Sequence, residues 1–336
     1  MLKLIPLFLL ILGVVLVNGW TDAPNSVATC ITTRCLTPKK AIMLSAIFNL
    51  LGVIVTGIVN NRVAYTIKNL VTLSSDSKVS LSALSAALIS IILWASLAFV
   101  FGIPTSESHA LTASLAGVAV AVNRKISAIN KQEIITIFSG FFLSLLLGFI
   151  FGYVITKCIE YVCKNKNRQK MMQHFKNGQI IGSCASSFMH GAQDGQKFFG
   201  IMMLVLSFSG TQSVYIKKLG LFLMVLISVT MSLGTSLGGY KIIKSIGMDM
   251  VKLEKHQGFS ADISSASALL VLTLLGIPVS TTHTKTASIM GVGASRSFRK
   301  INVSSVMDIL LTWILTFPAC ALIGFVLTKA ILYFVV

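Results

Sequence analysis

The chain has 336 residues, of which 54% are hydrophobic and 11% charged, and its mean hydropathy is +0.85; soluble domains carry about 25% charged residues, so a soluble globule is excluded. The 28 basic residues outnumber the 10 acidic ones and give a net charge of +18. These cations sit in short connectors between apolar runs, without a base-stacking motif, which argues against nucleic acid as a partner and for a lipid bilayer.

In chain order, Lys3 precedes an apolar run that resembles a secretory leader. No A-x-A-like site follows Val17 and a polar cluster begins at once at Asn18, so this segment is expected to be retained. Long apolar windows then recur at Ala41 to Val59, Leu81 to Phe101, Ile134 to Thr156 and Leu310 to Thr328, each able to cross the hydrocarbon as a helix. Lys157, Lys164, Lys166, Arg168, Lys170 and Lys176 crowd a central link, with smaller basic groups at Lys39/Lys40, Lys241 to Lys255 and Arg296 to Lys300. By the positive-inside rule all of these face the cytoplasm. Cys30, Cys35, Cys158, Cys163, Cys184 and Cys320 form no C-x-x-C pair and read as packing residues.

The apolar pattern is interrupted twice in each half by polar clusters of matching type. Asn18 to Asn25 (NGWTDAPN) is followed by Gly102 to Gly117 (GIPTSESHALTASLAG), and His190 to Lys197 (HGAQDGQK) by Gly276 to Gly291 (GIPVSTTHTKTASIMG). The separation of Asp22 from Pro104 agrees within two residues with that of Asp194 from Pro278. The expected fold is an all-α polytopic membrane protein made of two inverted-topology repeats with broken or re-entrant helices and about ten to twelve membrane-entering segments. A first repeat over 1–160, a basic cytoplasmic linker over 161–178 and a second repeat over 179–336 are expected, with His109 to Val122 and Ile289 to Ala294 as re-entrant segments.

In hydrocarbon a Gly-Pro break survives only where it is buried in protein or lines a watery cavity, so the breaks are the candidate site. Pro104 and Pro278 precede helices for which Thr105/Ser106 and Ser280/Thr281 are natural N-caps. Helix N-termini with extra hydroxyls favour an anion, so Thr105, Ser106 and Ser108 with Ser280, Thr281 and Thr282 are expected to donate to a tetrahedral oxyanion. The bland alternative is that these hydroxyls only cap helices or bond backbone carbonyls.

A carboxylate within the membrane costs roughly 3 kcal/mol on insertion scales, so Asp22 and Asp194 call for a role. With Asn25, Gln193 and Gln196 they are candidate oxygen ligands for a small metal cation or carriers of a proton; an N-cap is the bland alternative. Glu107 is a third acid, placed to accept the proton that phosphate still carries at neutral pH and sulfate does not. His109 and His283 read as holding loop backbone by hydrogen bonds rather than shuttling protons. Lys197 and Lys285 either snorkel or pair with Asp or substrate, and both readings stay open.

At these four motifs the chain resembles the inorganic phosphate transporter family known as PiT, whose signature is approximately G-A-N-D-V-A-N-A once per half. Gly19-Trp20-Thr21-Asp22-Ala23-Pro24-Asn25 matches at Gly, Asp and the later Asn, and Gly191-Ala192-Gln193-Asp194 matches with Gln for Asn. Gly276 to His283 is close to the family's second-repeat loop, and GIPTSESH is its partner; Thr21 and Gln193 depart from the signature Asn. The resemblance implies a secondary transporter of the bacterial inner membrane that imports phosphate with Na⁺ or H⁺, without a cofactor. A sulfate or other oxyanion permease and a passive channel are the nearest rivals, and a homo-oligomer stays open. A membrane hydrolase using Ser280 or Ser106 with His283 or His109 is disfavoured, because the pattern is duplicated and no G-x-S-x-G elbow occurs.

Overall fold

The computed structural model describes residues 4–102, 105–208, 213–237, 243 and 250–335; Pro104, Lys241 and Lys244 lie outside the described residues. Apart from one backbone bridge between Val71 and Ile129, regular structure among the described residues is helical. The first half comprises α1 (Ile5–Thr21), a 3-10 turn (Ala23–Val27), α2 (Ala28–Thr32), α3 (Pro38–Val59), α4 (Arg62–Lys68), α5 (Ser77–Phe101), α6 (Glu107–Asn123) and α7 (Lys131–Cys163). The second comprises α8 (Arg168–Phe208), α9 (Ser213–Leu237), α10 (Lys255–Leu274), α11 (Thr281–Arg296) and α12 (Val303–Val335). Six helical segments among the described residues are long and apolar enough to cross a membrane, and the four long windows of the sequence lie in α3, α5, α7 and α12.

The two signature segments fold differently, which corrects the expectation that both interrupt a helix. Pro24 has no backbone N–H to continue the ladder, and the chain tightens into the 3-10 turn after Asp22. No proline occupies the matching stretch, and α8 runs unbroken through His190 to Lys197 for 41 residues, about 60 Å. Most of the basic linker is also helical, since only residues 164–167 separate α7 from α8.

Two helical hairpins frame the interior. The first descends α5, turns at Gly102 with φ of 69°, and returns along α6. Its open end is tied to the start of α7, because Asn123 Nδ2 donates to the Thr72 carbonyl at 3.0 Å and Asn130 N to that of Leu70 at 2.8 Å. The second runs down α10, turns at Gly276 with φ of 77°, and returns along α11. Its open end meets the opposite end of α7, where Arg296 Nε donates to Glu160 at 3.1 Å. Since α7 is a single helix of 33 residues, about 50 Å long, the hairpins open toward opposite ends of the molecule.

With 17 and 16 residues, α6 and α11 reach about 25 Å, short of a hydrocarbon core of about 30 Å. Each is buried along most of its length and packs on the final long helix of the other half, α6 on α12 and α11 on α7. The approach is close enough that a Cβ at Gly117 would lie 2.1 Å from the Ala321 carbonyl oxygen, and one at Gly291 2.1 Å from that of Phe149. The exchange recurs outside, where α3 packs on α8 and α1 on α9.

Candidate functional site

The starts of α6 and α11 meet in the interior. Ser106 and Ser280 are their N-caps, accepting from the backbone N–H of His109 at 3.3 Å and of His283 at 3.2 Å. Both positions were legible in the sequence, because a short side-chain oxygen just after a proline-bearing loop satisfies donors that the first helical turn leaves free. Ser108 Oγ donates to the Val279 carbonyl at 3.1 Å, joining the two helix starts.

Around them lies a buried polar cluster built from both halves. Asp22 accepts from Asn25 Nδ2 at 2.8 Å and closely from the Thr282 hydroxyl, with Thr281 Oγ1 at 3.4 Å. Asn25 Nδ2 also reaches Thr282 Oγ1 at 3.0 Å. Asp194 accepts from Asn18 Nδ2 at 3.0 Å and Lys197 Nζ at 2.6 Å, with His190 Nε2 at 3.3 Å. Lys197 also donates to Ser108 Oγ at 2.6 Å. In each half, then, the residue three after the signature acid bonds both that acid and a hydroxyl on the opposing helix start. Glu107 Oε1 accepts from the Thr21 hydroxyl at 2.6 Å, while its Oε2 has no partner.

Several acceptors here have no donor: Oδ1 of Asn18, Oδ1 of Asn25 and Oε2 of Glu107 are buried and unpartnered. Buried polar atoms are ordinarily paired, so a concentration of free oxygens suits a hard cation better than another hydrogen-bonding neighbour. Asp22, His190 and Asp194 bring potential ligand atoms within 4.8 Å of one another. Gln196 is buried with neither amide atom partnered.

A second buried ion pair adjoins this cluster. Asp262 on α10 holds Lys285 of α11 and accepts from Thr29 Oγ1 at 2.5 Å and Ser183 Oγ at 2.8 Å. A pocket of only about 10 Å³ beside Asn25, Ser26, His190, Thr281 and Lys285 separates the clusters. That space is at the limit for one water.

Four sequence-based expectations need correction or refinement. Gln193 braces the loop ahead of α11: its Nε2 donates to Thr273 Oγ1 at 2.9 Å and to the Ile277 carbonyl at 3.2 Å, and its Oε1 accepts from Val279 N at 3.4 Å. Its amide is therefore spent on unpaired loop backbone, and it is not among the free oxygens. Thr105 lines an apolar cavity of about 260 Å³ with Trp94, Leu97 and Phe101. The ring nitrogens of His109 and His283 do not hold loop backbone; all four lack a partner, and the rings pack with centroids 4.2 Å apart, against Phe141, Phe317 and Trp313. Lys197 and Lys285 pair with Asp194 and Asp262 rather than snorkelling.

Asn18 and His190 were visible in the quoted motifs but carried no separate signal of function. Asp262 escaped notice as a lone acid in a serine-rich apolar helix, although the same cost of burial that singled out Asp22 applies to it. The Ser–His pairs are not arranged for nucleophilic catalysis, because Ser106 and Ser280 receive backbone N–H groups and do not bond an imidazole nitrogen.

The model of the phosphate transporter family matches residues 18–174 and 161–324. A "probable low-affinity inorganic phosphate transporter" of Bacillus subtilis is 33% identical over 95% of this chain and 92% of its own length. One of the same description from Rhizobium meliloti is 32% identical over 91% of this chain and 90% of its own. A solved structure, "The sodium-dependent phosphate transporter", superposes with a TM-score of 0.87 over 98% of this chain and 99% of that one, at 23% identity, and shares the fold.

Proposed function

The chain belongs to the phosphate transporter family, and we propose that it carries inorganic phosphate across the bacterial inner membrane, driven by Na⁺ or H⁺ through alternating access. The family is one of transporters, not enzymes, and the chain is a multi-pass membrane protein. The observation that carries the reading is the meeting of two short helix starts, joined by the Ser108–Val279 hydrogen bond, beside Asp22 and Asp194. Helix N-termini attract an oxyanion and the carboxylates attract the coupling cation, so each charge lowers the cost of bringing in the other.

In this reading Ser106, Ser108, Ser280, Thr281 and Thr282, with Asn25 and Gln196, form the phosphate clamp, and Thr105, which faces the apolar cavity, is left out of it. Asp22, Asp194 and Glu107 receive the coupling ion. Gln193 supports the loop and is left out of that set. The two halves, 1–160 and 179–336 with 161–178 between them, are inverted copies. That assignment is supported by hairpins that open at opposite ends of α7 and by the exchanged packing of α6 and α11. Rocking of the two hairpins against the long helices opens the clamp alternately to each side.

The test is uptake of labelled phosphate into proteoliposomes with Na⁺ and H⁺ gradients imposed separately. Accumulation driven by one of them, inhibited by arsenate and little affected by sulfate, is the expected result. Uptake indifferent to both gradients makes the protein a passive channel, and equal competition by sulfate makes it a general oxyanion permease.

A further inference from the structure

Lys197 is almost fully buried and its ammonium meets three oxygens: Asp194 Oδ1 at 2.6 Å, Ser108 Oγ at 2.6 Å and the Val279 carbonyl at 2.5 Å. An ammonium has three donors, so this set of acceptors saturates it. A carboxylate, a hydroxyl and a backbone carbonyl are the oxygen types that hold a hard cation. The same three types surround Lys285, with Asp262 in close contact and the Ser26 carbonyl and Ser186 Oγ farther off at 3.3 and 3.4 Å.

The first half shows what the position is without a charge. Asn25 stands three residues after Asp22 as Lys197 stands three after Asp194, and it spans its acid and Thr282 at 2.8 and 3.0 Å as a neutral donor. One half therefore keeps a fixed cation where the other has an amide.

We propose that the Lys197 ammonium is a tethered substitute for one Na⁺, filling an oxygen cage that binds free Na⁺ once the lysine is removed. The cage stands independently of what is transported; its consequence for coupling, one Na⁺ fewer per cycle, rests on the phosphate-transporter reading. The cation also ties Asp194 to both helix starts, since Ser108 belongs to α6 and Val279 precedes α11.

Lys197→Asn, which copies the first half, is the direct test. Purified protein is unfolded thermally in NaCl and in choline chloride of equal ionic strength. The variant is expected to gain a few °C more from Na⁺ than the parent does, because an ion that binds only the folded state raises its stability by mass action. In proteoliposomes, the slope of a Hill plot of phosphate uptake against Na⁺ is expected to rise by about one relative to the parent. A folded variant whose Na⁺ response equals the parent's in both measurements overturns the proposal. If the variant is unstable, Na⁺ during purification rescues it and Lys197→Gln alike; failure of Na⁺ to rescue either also overturns the proposal, because the ion then does not replace the ammonium. Gain of Na⁺ stabilisation together with absence of phosphate uptake by the parent leaves the cage intact and refutes only the transport reading.

Discussion

Ser108 of the first half donates its hydroxyl to the backbone carbonyl of Val279 in the second, 3.1 Å away. That contact fixes the starts of α6 and α11 against each other and places the neighbouring hydroxyls where both halves reach them.

Asp22 receives the amide of Asn25 and the hydroxyl of Thr282. In Asp22→Asn the size is kept and the charge lost, so gradient-driven uptake should fall at least about tenfold, given roughly 1.5–3 kcal/mol for a hydrogen bond to a charged group. Membrane abundance, measured by immunoblot, should stay near that of the parent. Parental uptake would remove Asp22 from the coupling role.

Glu107 shares one oxygen with Thr21 and leaves the other unpartnered. Glu107→Gln should weaken phosphate transport more than any residual sulfate transport, because only phosphate brings a proton for the carboxylate to accept. Paired initial rates for the two anions measure this, and equal losses contradict a proton-reading role.

Gly291→Val should deprive the membrane of folded protein, since its Cβ would meet the Phe149 carbonyl at 2.1 Å and overpacking costs about 1–3 kcal/mol or more. Gly220→Ala is the control, with its nearest neighbour at an ordinary 3.7 Å from Phe199. Fluorescence-detected size exclusion should show a monodisperse peak for the second and not the first.

At one end of the molecule Arg296 joins Glu160 at 3.1 Å and Glu254 at 3.2 Å, and Arg168 joins Glu254 at 3.2 Å. Partial burial pushes the Glu254 carboxyl up, but the hydrogen bond and charge of Arg296 outweigh it and hold the group below the usual range. A carboxyl depressed in the folded state adds stability at pH above its unfolded value and loses it as pH falls through the folded one. Thermal scans should therefore show a shallow loss of stability on acidification below the ordinary glutamate range, reduced in Glu254→Gln. The Arg296 pairs are about one-third exposed and Arg168 is mostly exposed, so screening holds the effect below about 1 kcal/mol.

Much of this was legible from the sequence. Hydropathy located α3, α5, α7 and α12, and the prolines with their following hydroxyls located the caps Ser106 and Ser280, because those signals are local in the chain. The unbroken α8 was not legible: a polar cluster in an apolar run marks burial in protein and says nothing of backbone breakage unless a proline such as Pro24 is present. Contacts that cross between halves were also hidden. Gln193 looked like an ion ligand until its bonds to Thr273 and the loop carbonyl appeared, and Asp262 found Lys285 only through the packing of α10 beside α11.

Equilibrium binding of labelled phosphate to purified protein, compared with the double variant Ser108→Ala/Thr282→Val, tests the clamp most directly. Saturable binding by the parent and at least about tenfold weaker binding by a folded variant is the expected result, as two hydroxyl donors at roughly 1 kcal/mol each are removed. Equal affinity in the two proteins, or no phosphate binding by the parent, would contradict a phosphate site between the starts of α6 and α11.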